Sequence, residues 1–279
     1  MTSRPPLELP RDLKDLLARR GGDLVERVEA FLESAPHRCT YATSERATRY
    51  PLHRGFVGRV LGLPTSDPVL GRCASKFGGF PYWEERDLSW DGFAFLGQVN
   101  FADIFDPPPE CPKSGLLAVD LCATFFTTSF RVRWYPQPRD GAAHLGDQPN
   151  CVGRWETRLC FREGWSLPGG DAWHAPLPAG DRELWQVWND WSPPGYLDDE
   201  RELCHRLFGH RSGALDDHYG FEPPANRSES IEEYAMVWRI TFDNPAGFHW
   251  GTNWVYVIIH RDDLALGRFD RCVVTGANA

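Results

Sequence analysis

A paired glycine ahead of a proline and a strand constrains this chain more than any other feature. Ser75-Lys76-Phe77-Gly78-Gly79-Phe80-Pro81-Tyr82-Trp83 is followed by Phe93-Ala94-Phe95-Leu96-Gly97-Gln98-Val99-Asn100-Phe101. Two successive glycines let a backbone turn sharply or approach another group closely, and the alternation after them predicts a strand over 93–101. The glycines do not make a phosphate loop, because neither GxxxxGK(S/T) nor GxGxxG occurs in the chain. A second stretch, His249-Trp250-Gly251-Thr252-Asn253-Trp254-Val255-Tyr256-Val257, presents an indole, an amide and an imidazole around a glycine just before another strand. Neither stretch has the residues or the spacing of a known reaction.

A chain of 279 residues can bury roughly three quarters of its unfolded surface. The 12 Trp, 17 Phe and 8 Tyr require that much of the core be aromatic, with indole N–H groups needing acceptors. The formal charge of −9 opposes nucleic acid and suits a basic protein partner. Eight cysteines without a CxxC pair or a regular framework read as reduced, mostly buried thiols. The amino-terminal stretch is charged and amphipathic, and no run of about 18 apolar residues occurs, so a soluble, cytoplasmic protein is expected, with no membrane association.

Leu13, Leu16, Leu17, Leu24, Val25, Val28, Phe31 and Leu32 recur at helical spacing, with Gly21-Gly22 between the halves, which predicts an amino-terminal helical hairpin. Residues 39–72 read as mixed, with a short helix over 55–61. Strands are expected over 93–101, 115–126, 130–135, 154–161, 234–242, 254–260 and 269–274, and a turn at Gly169-Gly170. Helices are expected over 181–191, where Trp185, Trp188 and Trp191 favour core over a partner-binding ridge, and from Asp198 or Asp199 through Leu207 to a left-handed stop at Gly209. The fold class is therefore α+β, mainly antiparallel sheet, with residues 1–70 as a helical extension and 71–279 as the main domain. Phe95–Asp103 with Leu116–Leu121 echoes Met236–Asp243 with Trp254–Ile259, the pattern of a duplicated half.

Constellations that could carry chemistry are sparse. Gln98 and Asn100 fall on one face of a strand, pointing together into a pocket or to solvent. Cys204, His205, His210, Asp216, Asp217 and His218 form the one metal-like cluster, but their spacing lacks the paired ligands of a zinc site. No GxSxG elbow is present, and Glu84-Glu85 and Glu232-Glu233 are neighbours facing opposite ways in extended chain. No catalytic residue, metal or cofactor is assigned. The candidate binding residues are Gly78, Gly79, Gln98, Asn100, His249, Trp250 and Asn253.

At Ser75–Pro81, Phe95–Phe101, Leu116 after Gly115, Leu207-Phe208-Gly209-His210, Trp250-Gly251 and the Asp262-Asp263-Leu264 to Phe269 block, the chain resembles the YwqG-like family of uncharacterised bacterial proteins. The resemblance spans roughly residues 70 to 275 and implies an α+β fold of mainly antiparallel sheet. It departs from the family after Gly209, where a proline and then a glutamine are usual. It implies no established activity; some members sit beside secreted polymorphic toxins, which suggests an immunity role.

The expectation is a non-catalytic binding protein, leaning away from an enzyme: an immunity-type protein whose acidic charge and aromatic anchors neutralise a basic toxin by direct contact. The alternative is a small-molecule-binding protein or unrecognised enzyme with a pocket near Gly79, Gln98, Trp250 and Asn253. If Trp250 is core, Trp250→Ala will lower stability by about 3–5 kcal/mol; an unchanged melting curve with lost binding would overturn the packing reading.

Overall fold

The structure is a computed structural model that describes residues 7–47, 70–84, 92–104, 107–109, 111–123, 128–139, 151–152, 155–191, 204–210, 230–248 and 254–277. The expected helix over 55–61 lies outside them. The helical hairpin is present as α1 (Arg11–Arg20) and α2 (Leu24–Ser34). Their apolar stripe, with Leu13, Leu17 and Val28 almost wholly buried, packs against α4 (Arg182–Asp190) and Trp173. Asp181 caps α4 by accepting from the Leu184 N–H at 3.1 Å and also pairs with Arg20 at 2.7 Å, so one carboxylate serves as N-cap and as a tie between helices. Trp188 is fully buried, with its indole donating to the Trp173 carbonyl, while Trp185 and Trp191 are half-buried.

Among the described residues, ten strands form one antiparallel sheet. They are β1 (His37–Arg46), β2 (Lys76–Phe77), β3 (Ala94–Asn100), β4 (Leu116–Ala123), β5 (Thr128–Tyr135), β6 (Thr157–Ser166), β7 (His205–Leu207), β8 (Tyr234–Ile240), β9 (Trp254–His260) and β10 (Val273–Ala277). Their order is β10-β9-β8-β7-β1-β6-β2-β3-β4-β5. The end strands β5 and β10 come alongside each other, so the sheet nearly closes on itself. Inside it lie Phe77, Leu96, Leu117, Val119, Trp238, Val257 and Phe269, all fully buried. The alternate residues of the same strands face outward into smaller cores: Phe95, Leu116 and Ala118 on one side, Met236, Tyr256 and Ile258 on the other.

Three expectations need correction. Residues 37–46, most of them in the segment read as mixed (39–72), form a ten-residue strand, and it lies at the centre of the sheet; the sheet thus draws on both sides of the expected boundary at residue 70. The stretch ending at Gly209 is not a helix over its described part but strand β7, held between β1 and β8; two backbone ladders outweigh the helical spacing of its leucines. Gly170 opens a short helix, α3 (Gly170–His174), instead of a turn.

The internal echo is structural. β2 and β7 are both short, and Lys76 and Arg206 occupy equivalent register positions beside β3 and β8. β3 and β8 each carry a bulge, at Phe95/Gly97 and at Met236/Trp238. The Gly78 N–H donates to the Leu96 carbonyl at 3.2 Å, and the Phe208 N–H to that of Val237 at 3.1 Å. The two halves meet at the ten-pair β1–β6 ladder, in which Thr43 stands opposite Cys160. By this relation β1 stands to β7 as β6 stands to β2.

Trp188 is the anchor of the helical layer, so Trp188→Ala should cost about 3–5 kcal/mol in urea denaturation; a loss under about 1 kcal/mol would mean that the layer contributes little to the stability of the sheet.

Candidate functional site

Gly78 and Gly79 both have left-handed backbones, φ 63° and 71°. A Cβ on Gly78 would stand 2.4 Å from the Trp155 carbonyl oxygen, and one on Gly79 would stand 2.3 Å from Oε1 of Glu156. The paired glycine is therefore filled by β6 and the residues leading into it. Lys76 and Glu156 are both completely buried, with Nζ and Oε1 3.2 Å apart. Nζ also donates to the Gly71 carbonyl at 3.0 Å. Burial pushes the Lys76 pKa down, and the attraction of Glu156 only partly restores it.

Gln98 and Asn100 do share a face of β3, and both bind the 72–75 loop. Gln98 Nε2 donates to the Arg72 carbonyl at 2.6 Å and that of Ala74 at 2.8 Å, while its Oε1 accepts from the Tyr82 N–H at 2.8 Å. Asn100 Nδ2 donates to the Cys73 carbonyl at 2.9 Å and its Oδ1 accepts from the Ala102 N–H. These two amides fasten the loop that carries Lys76. His249, Trp250 and Asn253 lie outside the described residues.

The equivalent turn in the other half is built differently. Phe208 and Gly209 repeat the double left-handed step, φ 60° and 86°, but a phenylalanine stands where the first half has Gly78. A bulky residue in that region is strained by the order of 1 kcal/mol. Here the turn borders a cavity of about 560 Å³, within the size range of sites for small organic ligands. Its wall includes two imidazoles, His37 from β1 and His210 from the turn, stacked with centroids 3.8 Å apart and planes 8° from parallel. His210 is fixed by its Nε2–H, which donates to the Ala35 carbonyl, and by its backbone N–H, which donates to Ser166 Oγ at 2.9 Å. Tyr234 and Met236 from β8 form an apolar side, and Arg261, Leu264 and Ala265 from α5 (Arg261–Ala265) form the rim. The buried Arg206 guanidinium lies just behind, donating to the His210 carbonyl and reaching Met236 Sδ at 3.9 Å.

Of the metal-like cluster, the structure places His205 in a different role. Its Nδ1 accepts from the Thr241 N–H at 3.2 Å, so its Nε2 carries the proton and donates to Asp243 Oδ2 at 2.8 Å. Burial alone would raise the Asp243 pKa, but hydrogen bonds from His205, Ser44 and the Ala246 N–H hold it below the usual carboxylate value. The Phe77 ring lies 4.6 Å from the imidazole. This pair braces the turn leading to residue 248, and it is closed to a substrate. Among the described residues no three His, Cys, Asp or Glu side chains converge as metal ligands. The eight cysteines are in the thiol form, without a disulfide.

Residues 75–276 match the family described as a domain of unknown function (DUF1963). The chain belongs to that family. No curated protein matches it, and among the described residues no helix is long and apolar enough to cross a membrane. Two members of the cavity, His37 and Pro109, show how far the site escapes sequence reading: His37 precedes the matched segment, and neither belongs to a motif. The signal that was available is the repeat itself, which relates Phe208-Gly209 to Gly78-Gly79.

Glu156→Gln leaves Lys76 buried beside a neutral amide, and should destabilise the protein by about 3–5 kcal/mol in chemical denaturation. A change within experimental error would mean that Lys76 is held neutral without its partner.

Proposed function

We propose that this protein is a binding protein whose ligand is a small molecule held in the cavity between the Phe208–His210 turn, His37, β8 and α5. The observation that carries this reading is the cavity itself: Ser166 and Cys39 close over Gly209 as Glu156 closes over Gly79, but the second turn also borders open space lined by aromatic rings and polar groups. A strained phenylalanine at the wall of that space supports it, since such strain concentrates at ligand sites. Two buried pairs of titratable groups, Lys76–Glu156 and His205–Asp243, lie outside the cavity wall.

The YwqG-like character of the motifs carries a second reading, an immunity-type protein in the cytoplasm that blocks a basic toxin domain. The formal charge of −9 favours it by steering a cationic partner. The two readings part on one variant. Ala265 is exposed at the rim of the cavity, so Ala265→Trp plugs the mouth without disturbing the core. Ligand-observed NMR with a library of small fragments should find binders of the native chain that Ala265→Trp no longer binds. Fragments that bind both proteins alike, or none that bind either, would sink the small-molecule reading.

A further inference from the structure

Two titratable rings on the cavity wall are held face to face. His37 opens β1 and His210 follows the Phe208-Gly209 turn, and their imidazoles stack with centroids 3.8 Å apart. Two positive charges at that separation weaken the binding of the second proton about sixfold even at the dielectric of water, and more strongly in a half-buried wall. The other charged groups add to the effect. The Arg206 guanidinium from β7 donates to the His210 carbonyl, and Arg261 from α5 stands on the same wall. Tyr234 from β8 stays neutral in acid, and β6 faces the pair with Ser166, which does not titrate there. Among the described residues no carboxylate lines the cavity; the closest to His37 along the chain is Glu33, in the last turn of α2.

The two rings are not held alike. His210 is half-buried beside Arg206, so the first proton goes to the exposed His37. His210 is fixed at two points, by its Nε2–H on the Ala35 carbonyl and by its backbone N–H on Ser166 Oγ at 2.9 Å, and a proton on its ring strengthens the first of these. When both rings are charged, the one that gives way is therefore His37, at the exposed end of its strand. We propose that the pair is a proton-operated gate on the cavity: it stays stacked with one proton, and a second, taken up in acid, turns His37 out of the wall. The consequence for binding rests on the small-molecule reading above, since the wall then loses a flat ring and a ligand binds less tightly. The unfolded chain, whose imidazoles are apart, holds more protons than the folded pair in mild acid, so the contribution of the pair to stability is present near neutrality and falls as the pH drops below about 6.5.

NMR titration of the histidine ring protons in the full chain, from about pH 8 to about pH 4.5, tests the gate without a ligand. His37→Phe keeps a flat ring against His210 and removes its charge. In that variant His210 should take up its proton at least about sixfold more readily than in the native chain, a midpoint about 0.8 pH unit higher. Cross-relaxation between the ring protons of His37 and His210 should be present near neutrality in the native chain and vanish as His210 becomes charged. An unchanged His210 midpoint in His37→Phe, or a ring contact that persists once both imidazoles are charged, would overturn the gate. Fragments that bind the native chain but not Ala265→Trp should lose affinity as His210 takes up its proton, and should keep it over the same step in His37→Phe; an equal loss in both proteins overturns the gate and leaves the cavity as a ligand site. If no fragment binds, the small-molecule reading falls by itself, and the ring titration still decides the gate.

Discussion

The ladder between β1 and β6 is the constraint on which the rest of the structure depends. Ten residue pairs, from His37–Ser166 to Arg46–Thr157, join two five-stranded halves that have no other strand pairing between them among the described residues. β1 comes from ahead of the family's matched segment and β6 from within it, so the half built on β7–β10 borrows its fifth strand from the amino-terminal side. The order of strands is thus that of a repeat whose second copy is circularly permuted. This pairing links positions more than a hundred residues apart, and closing so large a loop carries an entropic cost that grows only slowly with length. The helical layer helps to meet it: α2 runs straight into β1, and the Ala35 carbonyl at their junction accepts from His210, three residues beyond β7.

Once two halves share one backbone plan, their differences become informative. In the interior, Phe77 requires a glycine across from it, since a Cβ on Gly97 would lie 2.3 Å from its ring. The related pair in the second half is Leu207 with Trp238, and the large side chain has changed strands. The two solutions are complementary, and Phe77 stacks on Trp238 across the core with centroids 5.7 Å apart. Outside the sheet the halves diverge in charge. A completely buried ammonium–carboxylate pair is poor value for stability compared with apolar residues of the same volume, because desolvation consumes most of the attraction. Its worth at Lys76 and Glu156 is geometric: Lys76 reaches the Leu70 and Gly71 carbonyls, Glu156 accepts from the Leu70 N–H, and together they hold the loop shut over the first turn.

Much of this fold was legible because it rests on local pattern. The hairpin of α1 and α2, the aromatic helix α4 and the strands β3, β4, β8 and β9 follow from apolar spacing that burial later satisfies. β1 was not legible, because His37-Arg38-Cys39-Thr40-Tyr41-Ala42-Thr43-Ser44-Glu45-Arg46 is buried only in its middle, and pairing on both edges holds it extended. β7 was misread for a related reason. The left-handed residue expected at Gly209 is present, but it closes a strand instead of a helix. The shared face of Gln98 and Asn100 was legible from the period of a strand, whereas what lies opposite depends on the 72–75 loop folding back. No sequence window contains that information.

The same limit explains why the glycine pair drew attention to a turn that the protein fills with its own side chains. Gly78-Gly79 is conspicuous in sequence because both left-handed residues are glycine, the form a tightly packed turn requires when a carbonyl and a carboxylate close over it. Phe208-Gly209 is inconspicuous because its first position keeps a side chain. The glycine pair therefore marks a turn that the protein closes over at both positions, while the turn that keeps a ring at its first left-handed position is the one beside the cavity. For a duplicated fold of this kind, the more useful search is for the position where one copy has glycine and the other bears a side chain at the same left-handed φ. The strain there persists only if something outside the turn holds it, and at Phe208 that is done by its N–H on the Val237 carbonyl, by the His210 N–H on Ser166 Oγ and by the interior ring of Phe101, at 5.9 Å.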